Sequence, residues 1–231
     1  MLERESRHEP GSRAAGRPGT GTRGDGGDDT PGSDVARQKD ALRARVLEAR
    51  RALTPEQRAT AAEELRGHVL ELAQELREGP VCAYLPVGAE PGSLALLDGL
   101  RAAGRSVLLP VVPPRPGPLD WAVYTGPDSL GPGPLGLREP TTPRLGPAAL
   151  RTAVLVLVPA LAADRSGRRL GRGGGYYDRT LGALPPGVPV VALLHDGELI
   201  DEVPADPHDR PVTGVVLPTP GTVATGNNGR G

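Results

Sequence analysis

Five short apolar segments limit what this 231-residue chain can fold into. They are rich in Val, Leu and Ala with few polar interruptions, which is typical of strands buried on both faces of a sheet. The segments are 81–87, 106–112, 153–160, 188–195 and 214–217. A sixth segment, 119–124, interleaves polar and apolar residues and is expected to form an edge strand.

Helical patterns precede and separate these strands. Ser33 or Asp34 can cap a first helix. Its apolar face is expected to consist of Leu42, Val46, Ala49 and Leu53. Thr54 and Gln57 have the spacing of a capping box and start a second helix, and a third is expected over 93–103. This alternation predicts an α/β fold: a mostly parallel sheet with helices on both faces, in a single domain.

The two ends of the chain differ from its middle. Residues 1–32 are rich in Gly and Arg and low in large apolar side chains, and the tail 220–231 has the same character. Such segments bury too little surface to offset the entropy lost on ordering, so we expect both to be disordered. The ordered domain is then 33–219.

Composition argues against several classes of protein. The formal net charge is −1 and the pI is about 6.4, unlike proteins that hold nucleic acid by bulk charge. No apolar stretch is long enough to cross a bilayer, and the N-terminus lacks the apolar core of a secretory signal. The single cysteine, Cys82, fits a reducing compartment. We therefore expect a cytoplasmic protein with no membrane or nucleic-acid partner, and we expect a monomer.

The segment after the most apolar strand carries the clearest chemical signal. Residues 159–181 read PALAADRSGRRLGRGGGYYDRTL, with five glycines from Gly167 to Gly175. Glycine lets backbone N–H groups approach an anion, and the neighbouring arginines add hydrogen bonds suited to phosphate oxygens. YYDRTL is expected to open a helix whose N-terminal dipole also favours negative charge. The loop predicts a phosphate site at the carboxyl edge of the sheet.

Spacing excludes two familiar phosphate loops. A Walker A loop needs Gly-Lys followed by Ser or Thr, and this segment has no lysine. A dinucleotide fingerprint starting at Gly171 and Gly173 would place its third glycine at position 176, which is Tyr176. On composition alone, a solvated Gly/Arg loop stays open as an alternative, because both residues are abundant throughout the chain.

The string RLGRGGGYYDR closely resembles the signature of 5-formyltetrahydrofolate cyclo-ligases, also called methenyltetrahydrofolate synthetases. Other elements are similar to that family and occur in the same order. They are KDALR from Lys39 to Arg43, AYLP at 83–86 followed by Glu90, and the pair His208-Asp209. The resemblance extends from Lys39 to about Leu217.

The resemblance implies a ligase of one-carbon metabolism. It would convert 5-formyltetrahydrofolate to 5,10-methenyltetrahydrofolate, with Mg²⁺ as cofactor and ATP hydrolysed to ADP and phosphate. The γ-phosphoryl group would move onto the formyl oxygen, and N10 of the folate would then attack that carbon as phosphate leaves. The implied partners are two small molecules, a reduced folate and ATP. The protein has mainly to position them and to neutralise phosphoryl charge.

The resemblance also implies the nucleotide contacts. Lys39 and Arg43 are four residues apart, hence on one helical face, and would reach the ATP phosphates. Lys39 is the only lysine in the chain, which favours a specific role for a compact ammonium. The glycine-rich loop would wrap ATP with Arg169, Leu170, Gly171, Arg172, Gly173, Gly174, Gly175, Tyr176 and Tyr177.

The remaining implied residues concern the folate, the metal and the chemistry. The expected folate contacts are Leu85, Glu90, Arg172, Gly173, Gly174, Gly175 and Tyr176. Arg172 and Tyr176 are the expected catalytic residues. Asp178 and Asp209 match the magnesium positions, and two carboxylates suffice for an ion that also takes phosphate oxygens and water.

Two other functions remain as alternatives. One is a non-catalytic folate- or nucleotide-binding module, which would not need the paired aspartates. The other is a different α/β enzyme, such as a sugar-phosphate isomerase or a CoA transferase, which would lack the RLGRGGGYYDR string. Whether Trp121 borders the folate site is left open, because no motif match includes it.

Overall fold

The computed structural model describes residues 31–206 and 209–226. The disorder expected for the first thirty residues and for the last five lies outside the described residues, and so does His208. The helices are α1 (Pro31–Ala52), α2 (Pro55–Gln74), α3 (Leu94–Ala102) and α4 (Tyr176–Leu181), with 3₁₀ turns at Pro127–Ser129, Pro134–Gly136 and Pro147–Thr152.

The strands form one large and two small sheets. They are β1 (Val81–Cys82), β2 (Val107–Val111), β3 (Asp120–Tyr124), β4 (Leu130–Pro132), β5 (Arg138–Pro140), β6 (Leu155–Pro159), β7 (Ala162–Asp164), β8 (Arg169–Leu170), β9 (Val190–Leu193), β10 (Leu199–Ile200), β11 (Gly214–Val216) and β12 (Thr222–Ala224). The large sheet has the order β12-β11-β9-β6-β1-β2-β3. The small sheets are β10-β7-β8 and the hairpin β4-β5.

The large sheet is mostly parallel, as predicted. β11, β9, β6, β1 and β2 run parallel, and β12 and β3 close the two edges as antiparallel strands. The edge position of the interleaved segment 119–124 is therefore confirmed. The five central strands are apolar on both sides because helices cover both faces.

Two apolar clusters lie on opposite faces of this sheet. One joins α2 and α3 to the strands through residues such as Leu65, Val69 and Leu97. The other joins α4 and the turn Pro147–Thr152 through Leu181 and Leu150. The prediction of helices on both faces of a single α/β domain is confirmed. No helix in the described part of the chain is long and apolar enough to cross a membrane.

Local signals set the boundaries of the helices. Thr54 accepts a hydrogen bond from the Gln57 N–H, and the Gln57 side chain accepts one from the Thr54 N–H, so the predicted capping box starts α2. Ser93 caps α3 in the same way through the Leu96 N–H. Both helices therefore begin where the sequence predicts.

Four expectations about local structure are wrong. α1 begins at Pro31, so the expected caps Ser33 and Asp34 lie inside its first turn. Ala49 is exposed on α1. Arg50 occupies the inward position instead, because its guanidinium pairs with the buried carboxylate of Glu198. β1 ends at Cys82 instead of residue 87; Pro86 has no N–H to donate to a ladder, so the strand could not have continued through it. Thr222–Ala224, in the tail expected to be disordered, pair with β11 as β12.

Candidate functional site

The glycine-rich loop leaves the small sheet at β8 and leads into α4. Gly175 caps α4 in the left-handed region at φ 64°, and Gly173 has φ 98°, so both positions favour glycine. Arg43, on α1, donates from Nε to the Gly171 carbonyl at 3.0 Å. A side chain at Gly173 would also meet the Arg43 guanidinium, 3.7 Å from the position of a Cβ. The loop and α1 thus meet along a glycine backbone.

Asp164 organises the start of this segment. Its Oδ1 accepts hydrogen bonds from the N–H groups of Ser166 and Arg168, and its Oδ2 accepts one from the Val203 N–H. Burial raises the pKa of this carboxyl, but the hydrogen bonds outweigh burial and the pKa is lowered. The carboxylate therefore stays ionised and fixes the turn before β8.

A cavity of about 1510 Å³ opens beside the loop at the carboxyl edge of the large sheet. Every site residue that the sequence predicts lines it. From the nucleotide and metal sets these are Lys39, Arg43, Arg169, Leu170, Gly171, Arg172, Gly173, Gly174, Gly175, Tyr176, Tyr177, Asp178 and Asp209, and from the folate set Leu85 and Glu90. Residues more than 100 positions apart in the sequence therefore share one wall, because parallel strands bring their carboxyl ends to one edge.

Lys39 lies between two carboxylates. Its Nζ is 2.5 Å from Asp206 Oδ2 and 2.7 Å from Asp209 Oδ2, and the residue is 8% exposed. Burial lowers the pKa of Lys39, but hydrogen bonds to the two aspartates more than offset this and raise it. The ammonium therefore keeps its charge inside the cavity wall.

Arg169 holds Asp178 in a second ion pair. Arg169 Nη2 donates to Asp178 Oδ1 at 2.8 Å, and its Nη1 donates to the Arg210 carbonyl. The Arg210 N–H donates to the same Asp178 oxygen at 3.1 Å. Since Arg210 directly follows Asp209, these hydrogen bonds join Asp178 and the strand β8 to the segment that carries Asp209.

Arg172 and Glu90 form a third ion pair. Arg172 Nε lies 2.8 Å from Glu90 Oε1, while Glu90 Oε2 accepts from the Val87 N–H at 2.9 Å. The Arg172 side chain is 55% exposed and that of Glu90 is 10% exposed. The pair connects the glycine loop to the turn after β1, where the resemblance places the folate.

The two adjacent tyrosines have different surroundings. The Arg179 guanidinium lies over the Tyr176 ring, 5.1 Å from its centroid, and its Nη2 donates to the Gly174 carbonyl at 2.7 Å. Tyr176 is thereby held over the loop. Burial, with help from Glu90, raises the pKa of Tyr177 well above its usual value. Tyr177 is therefore a neutral phenol, and from α4 it packs against the core cluster that includes Leu181.

Some residues of the cavity carry no signal in the sequence. Asp206 pairs with Lys39, and its N–H donates to Asp209 Oδ2 at 2.8 Å. Glu139 lines the cavity within the Gly/Pro-rich stretch 126–147, where no periodicity marks it. Trp121 is fully buried in the core on β3 and is absent from the cavity lining among the described residues.

Asp178 and Asp209 provide two carboxylates, which is fewer ligands than a metal site built from protein alone requires. The described residues include no group of three or more His, Cys, Asp and Glu that could hold a metal ion. Mg²⁺ takes one or two carboxylates and completes its octahedron with phosphate oxygens and water. Both described hydrogen bonds to Asp178 go to Oδ1, so Oδ2 is available, and both aspartates line the cavity. The donor set fits.

Comparison with known proteins gives the same family over nearly the whole domain. A family model described as the 5-formyltetrahydrofolate cyclo-ligase family matches residues 35–218. The chain is 47% identical to the 5-formyltetrahydrofolate cyclo-ligase of Mycolicibacterium smegmatis over 192 residues, covering 81% of this chain and 97% of the relative. It is 30% identical to that of Escherichia coli K12 over 176 residues, covering 75% and 97%.

Solved structures are similar as well. The NMR structure of Aquifex aeolicus 5,10-methenyltetrahydrofolate synthetase superposes with a TM-score of 0.64 at 27% identity, covering 80% of this chain and 92% of that chain. A 5,10-methenyltetrahydrofolate synthetase from Mycoplasma pneumoniae has a TM-score of 0.62 at 20% identity and supports the fold alone. With a family match across residues 35–218, and with the motif residues gathered on one cavity, this chain belongs to the 5-formyltetrahydrofolate cyclo-ligase family.

Proposed function

We propose that this chain uses MgATP to convert 5-formyltetrahydrofolate to 5,10-methenyltetrahydrofolate in the cavity beside the glycine-rich loop. The observation that carries the proposal is the convergence of Lys39, Arg43, the loop 169–177 and both aspartates on one cavity wall. A binding module has no use for this combination of phosphate donors and metal-type carboxylates.

The nucleotide would bind along the loop and α1. Lys39 and Arg43 reach the cavity from one face of α1, and the Gly173–Gly175 backbone offers N–H groups without side-chain bulk. Arg172, which is the most exposed of the paired cations in the wall, would reach the γ-phosphoryl group. Some family members carry a lysine where this chain has Gly174, so Arg172 would bear more of the phosphate charge here.

Binding of MgATP would exchange the partners within the wall. Lys39, Arg169 and Arg172 are each paired with a carboxylate, at 2.5 to 2.8 Å. Phosphate oxygens compete for such cations, and a divalent ion competes for the carboxylates. Each of these cations has a carboxylate partner before binding, and phosphate and Mg²⁺ would replace the two sides of a pair, so the exchange would leave no buried charge unpaired.

The reaction follows from the chemistry of the formyl group. The formyl oxygen would attack the γ-phosphorus, and ADP would leave as the new O–P bond forms. This step prepares the carbon for N10, because phosphate leaves carbon far more readily than an oxide does. N10 would then attack the activated carbon, N10 would lose its proton, and the C–O bond would break as phosphate departs. Arg172 would neutralise the charge of the transferring group, and Tyr176 would cover the folate beside it. Mg²⁺ held by Asp178 and Asp209 would screen the phosphate charge.

The test is a spectroscopic assay of the purified full chain. We expect absorbance of methenyltetrahydrofolate to appear in the near ultraviolet only when 5-formyltetrahydrofolate, ATP and Mg²⁺ are all present, with one ADP formed per product. Folded protein that binds ATP and the folate without turnover would contradict the proposal and would favour the non-catalytic module. Omission of each component in turn provides the control.

A further inference from the structure

One buried carboxylate in the cavity wall, Glu139, has no cation partner among the described residues. Glu139, on β5, is 8% exposed and lines the cavity. Its Oε1 accepts a hydrogen bond from the Val112 N–H at 2.7 Å, just beyond the end of β2. Among the described residues, no basic group pairs with Glu139 and Oε2 accepts no hydrogen bond.

The local structure makes room for this carboxylate. A side chain at Gly133, across the hairpin, would place its Cβ 2.6 Å from Glu139 Cγ and 2.8 Å from Cδ. The glycine therefore allows Glu139 to stand against the hairpin with one oxygen fixed on β2. A buried charge is costly unless it is paired, so an oxygen without a described partner, on a side chain that lines a cavity, is a place for a ligand's donor.

Arg138, whose guanidinium donates to the Pro127 and Leu130 carbonyls, lines the cavity beside Glu139. The end of β2 and the neighbouring segments add an apolar lining from Leu109, Pro110, Val112, Leu119 and Leu137. Leu109 and Pro110 lie on β2 of the large sheet, whereas the glycine-rich loop follows β8 of a small sheet.

We infer that Glu139 recognises the pterin ring of the folate by accepting its pyrimidine N–H donors. This inference rests on the proposed function, which places the reacting N5 and N10 beside the loop. In a pterin, the 2-amino group lies on the ring edge remote from N10, so that edge would extend towards β2. Before MgATP binds, both oxygens of Glu90 are engaged, by Arg172 and by the Val87 N–H, whereas Glu139 has one oxygen without a described partner. An ionised carboxylate only accepts hydrogen bonds, so Glu139 would bind a ring edge that carries N–H donors and would disfavour a heterocycle whose edge carries acceptors.

The first test is Glu139→Gln. The amide oxygen still accepts from the Val112 N–H, so the hairpin keeps its contact, while an NH₂ group replaces the acceptor that faces the ring. We expect the KM for 5-formyltetrahydrofolate to rise about tenfold or more, since a hydrogen bond to a charged group is lost, with the KM for ATP unchanged. Glu71→Gln, an exposed glutamate on α2, is the matched control. A wild-type folate KM in Glu139→Gln would overturn the inference, and so would a matching rise in the ATP KM.

The second test identifies the atom that is recognised. A 5-formyltetrahydrofolate analogue with a methyl group in place of the 2-amino group should bind the wild-type chain at least about tenfold more weakly. In Glu139→Gln, the same replacement should lower the affinity for the folate little further. In Glu90→Gln it should lower the affinity as much as in wild type. Equal losses in Glu139→Gln and wild type would place recognition elsewhere. Equilibrium binding of both folates without ATP gives this answer even if turnover fails, which separates this inference from the proposed function.

Discussion

The side chain at position 39 is selected by its surroundings. Nζ of Lys39 lies within hydrogen-bond distance of Asp206 and Asp209, and the residue is only 8% exposed. A planar guanidinium differs from a compact ammonium in size and in the directions of its donors, so it would not reproduce these contacts. We expect Lys39→Arg to raise the KM for ATP about tenfold or more, because the charge is kept but its contacts are lost. Steady-state kinetics measure this, with Arg37→Lys on the exposed side of the same helix as control. Wild-type kinetics in Lys39→Arg would show that charge alone matters.

The metal assignment depends on Asp178. Asp178→Asn keeps an oxygen that accepts from Arg169 and from the Arg210 N–H, but it removes the carboxylate charge. We expect kcat to fall by about 100-fold or more, with equilibrium binding of the folate retained. A titration of rate against Mg²⁺ measures the effect, and Asp201→Asn, at an exposed position, is the control. Turnover at the wild-type rate would remove Asp178 from the metal site.

The buried imidazole of His195 should make the free energy of unfolding depend on pH. Burial lowers the pKa of His195 below its usual 6.5, and its Nε2–H donates to the Ala89 carbonyl at 3.2 Å, so the neutral ring is the native form. The unfolded chain binds a proton more readily, so the free energy of unfolding should decrease as the pH falls below about 6.5. Denaturant unfolding at pH 7.5 and 5.5 measures this. His195→Gln should lose less stability over that interval, and an equal loss would assign the effect to other groups.

At the scale of elements, α1 is fastened by a buried ion pair. Arg50 Nε and Nη2 each lie 2.7 Å from an oxygen of Glu198, and Nη2 also donates to the Ala160 carbonyl. Since α1 carries Lys39 and Arg43, this attachment positions the nucleotide contacts. The guanidinium replaces an apolar residue at an inward position of the helix.

Removing one partner of this pair should be costly. We expect Glu198→Ala to lower the free energy of unfolding by about 3 kcal/mol, because it leaves the Arg50 charge buried without its carboxylate. Glu202→Ala, at an exposed carboxylate paired with Arg168, should cost less than about 1 kcal/mol. Denaturant unfolding of the two variants distinguishes these values. Equal effects would mean that the buried pair does not fasten α1.

The sequence predicts elements well where one physical signal is strong. Continuous apolar runs locate the central strands, and the capping box at Thr54 locates the start of α2. Prediction fails where a tertiary partner decides: Ala49 is the apolar choice for α1, yet Arg50 turns inward because Glu198 is there. Thr222–Ala224 form β12 because β11 offers an unpaired edge, which local composition does not reveal.

The same reasoning explains the limits of site prediction. The glycine loop and Asp178 are visible because they lie in one specific family string, and Asp209 is visible through the pair His208-Asp209, which follows in the family's order. Asp206 and Glu139 are two acidic residues among many, and only the fold shows that one faces Lys39 and the other the cavity. A residue whose role depends on its neighbours in space leaves no pattern along the chain.

At the scale of the whole molecule, the cavity draws on most of the domain. Its wall is built from α1, the turn after β1, the end of β2, the hairpin β4-β5, the loop before α4 and the segment before β11. The carboxyl edge of a parallel sheet is where such distant segments meet. The proposed chemistry therefore needs the intact domain, and its central step is the transfer of phosphate to the formyl oxygen.

An oxygen-18 label on the formyl group of 5-formyltetrahydrofolate tests that step most directly. If the γ-phosphoryl group is transferred to the formyl oxygen, the label leaves with the released phosphate. Mass spectrometry of the phosphate after turnover with MgATP measures its fate. We predict one labelled oxygen in each phosphate formed. Unlabelled phosphate, with the label recovered in water, would contradict phosphoryl activation in this cavity.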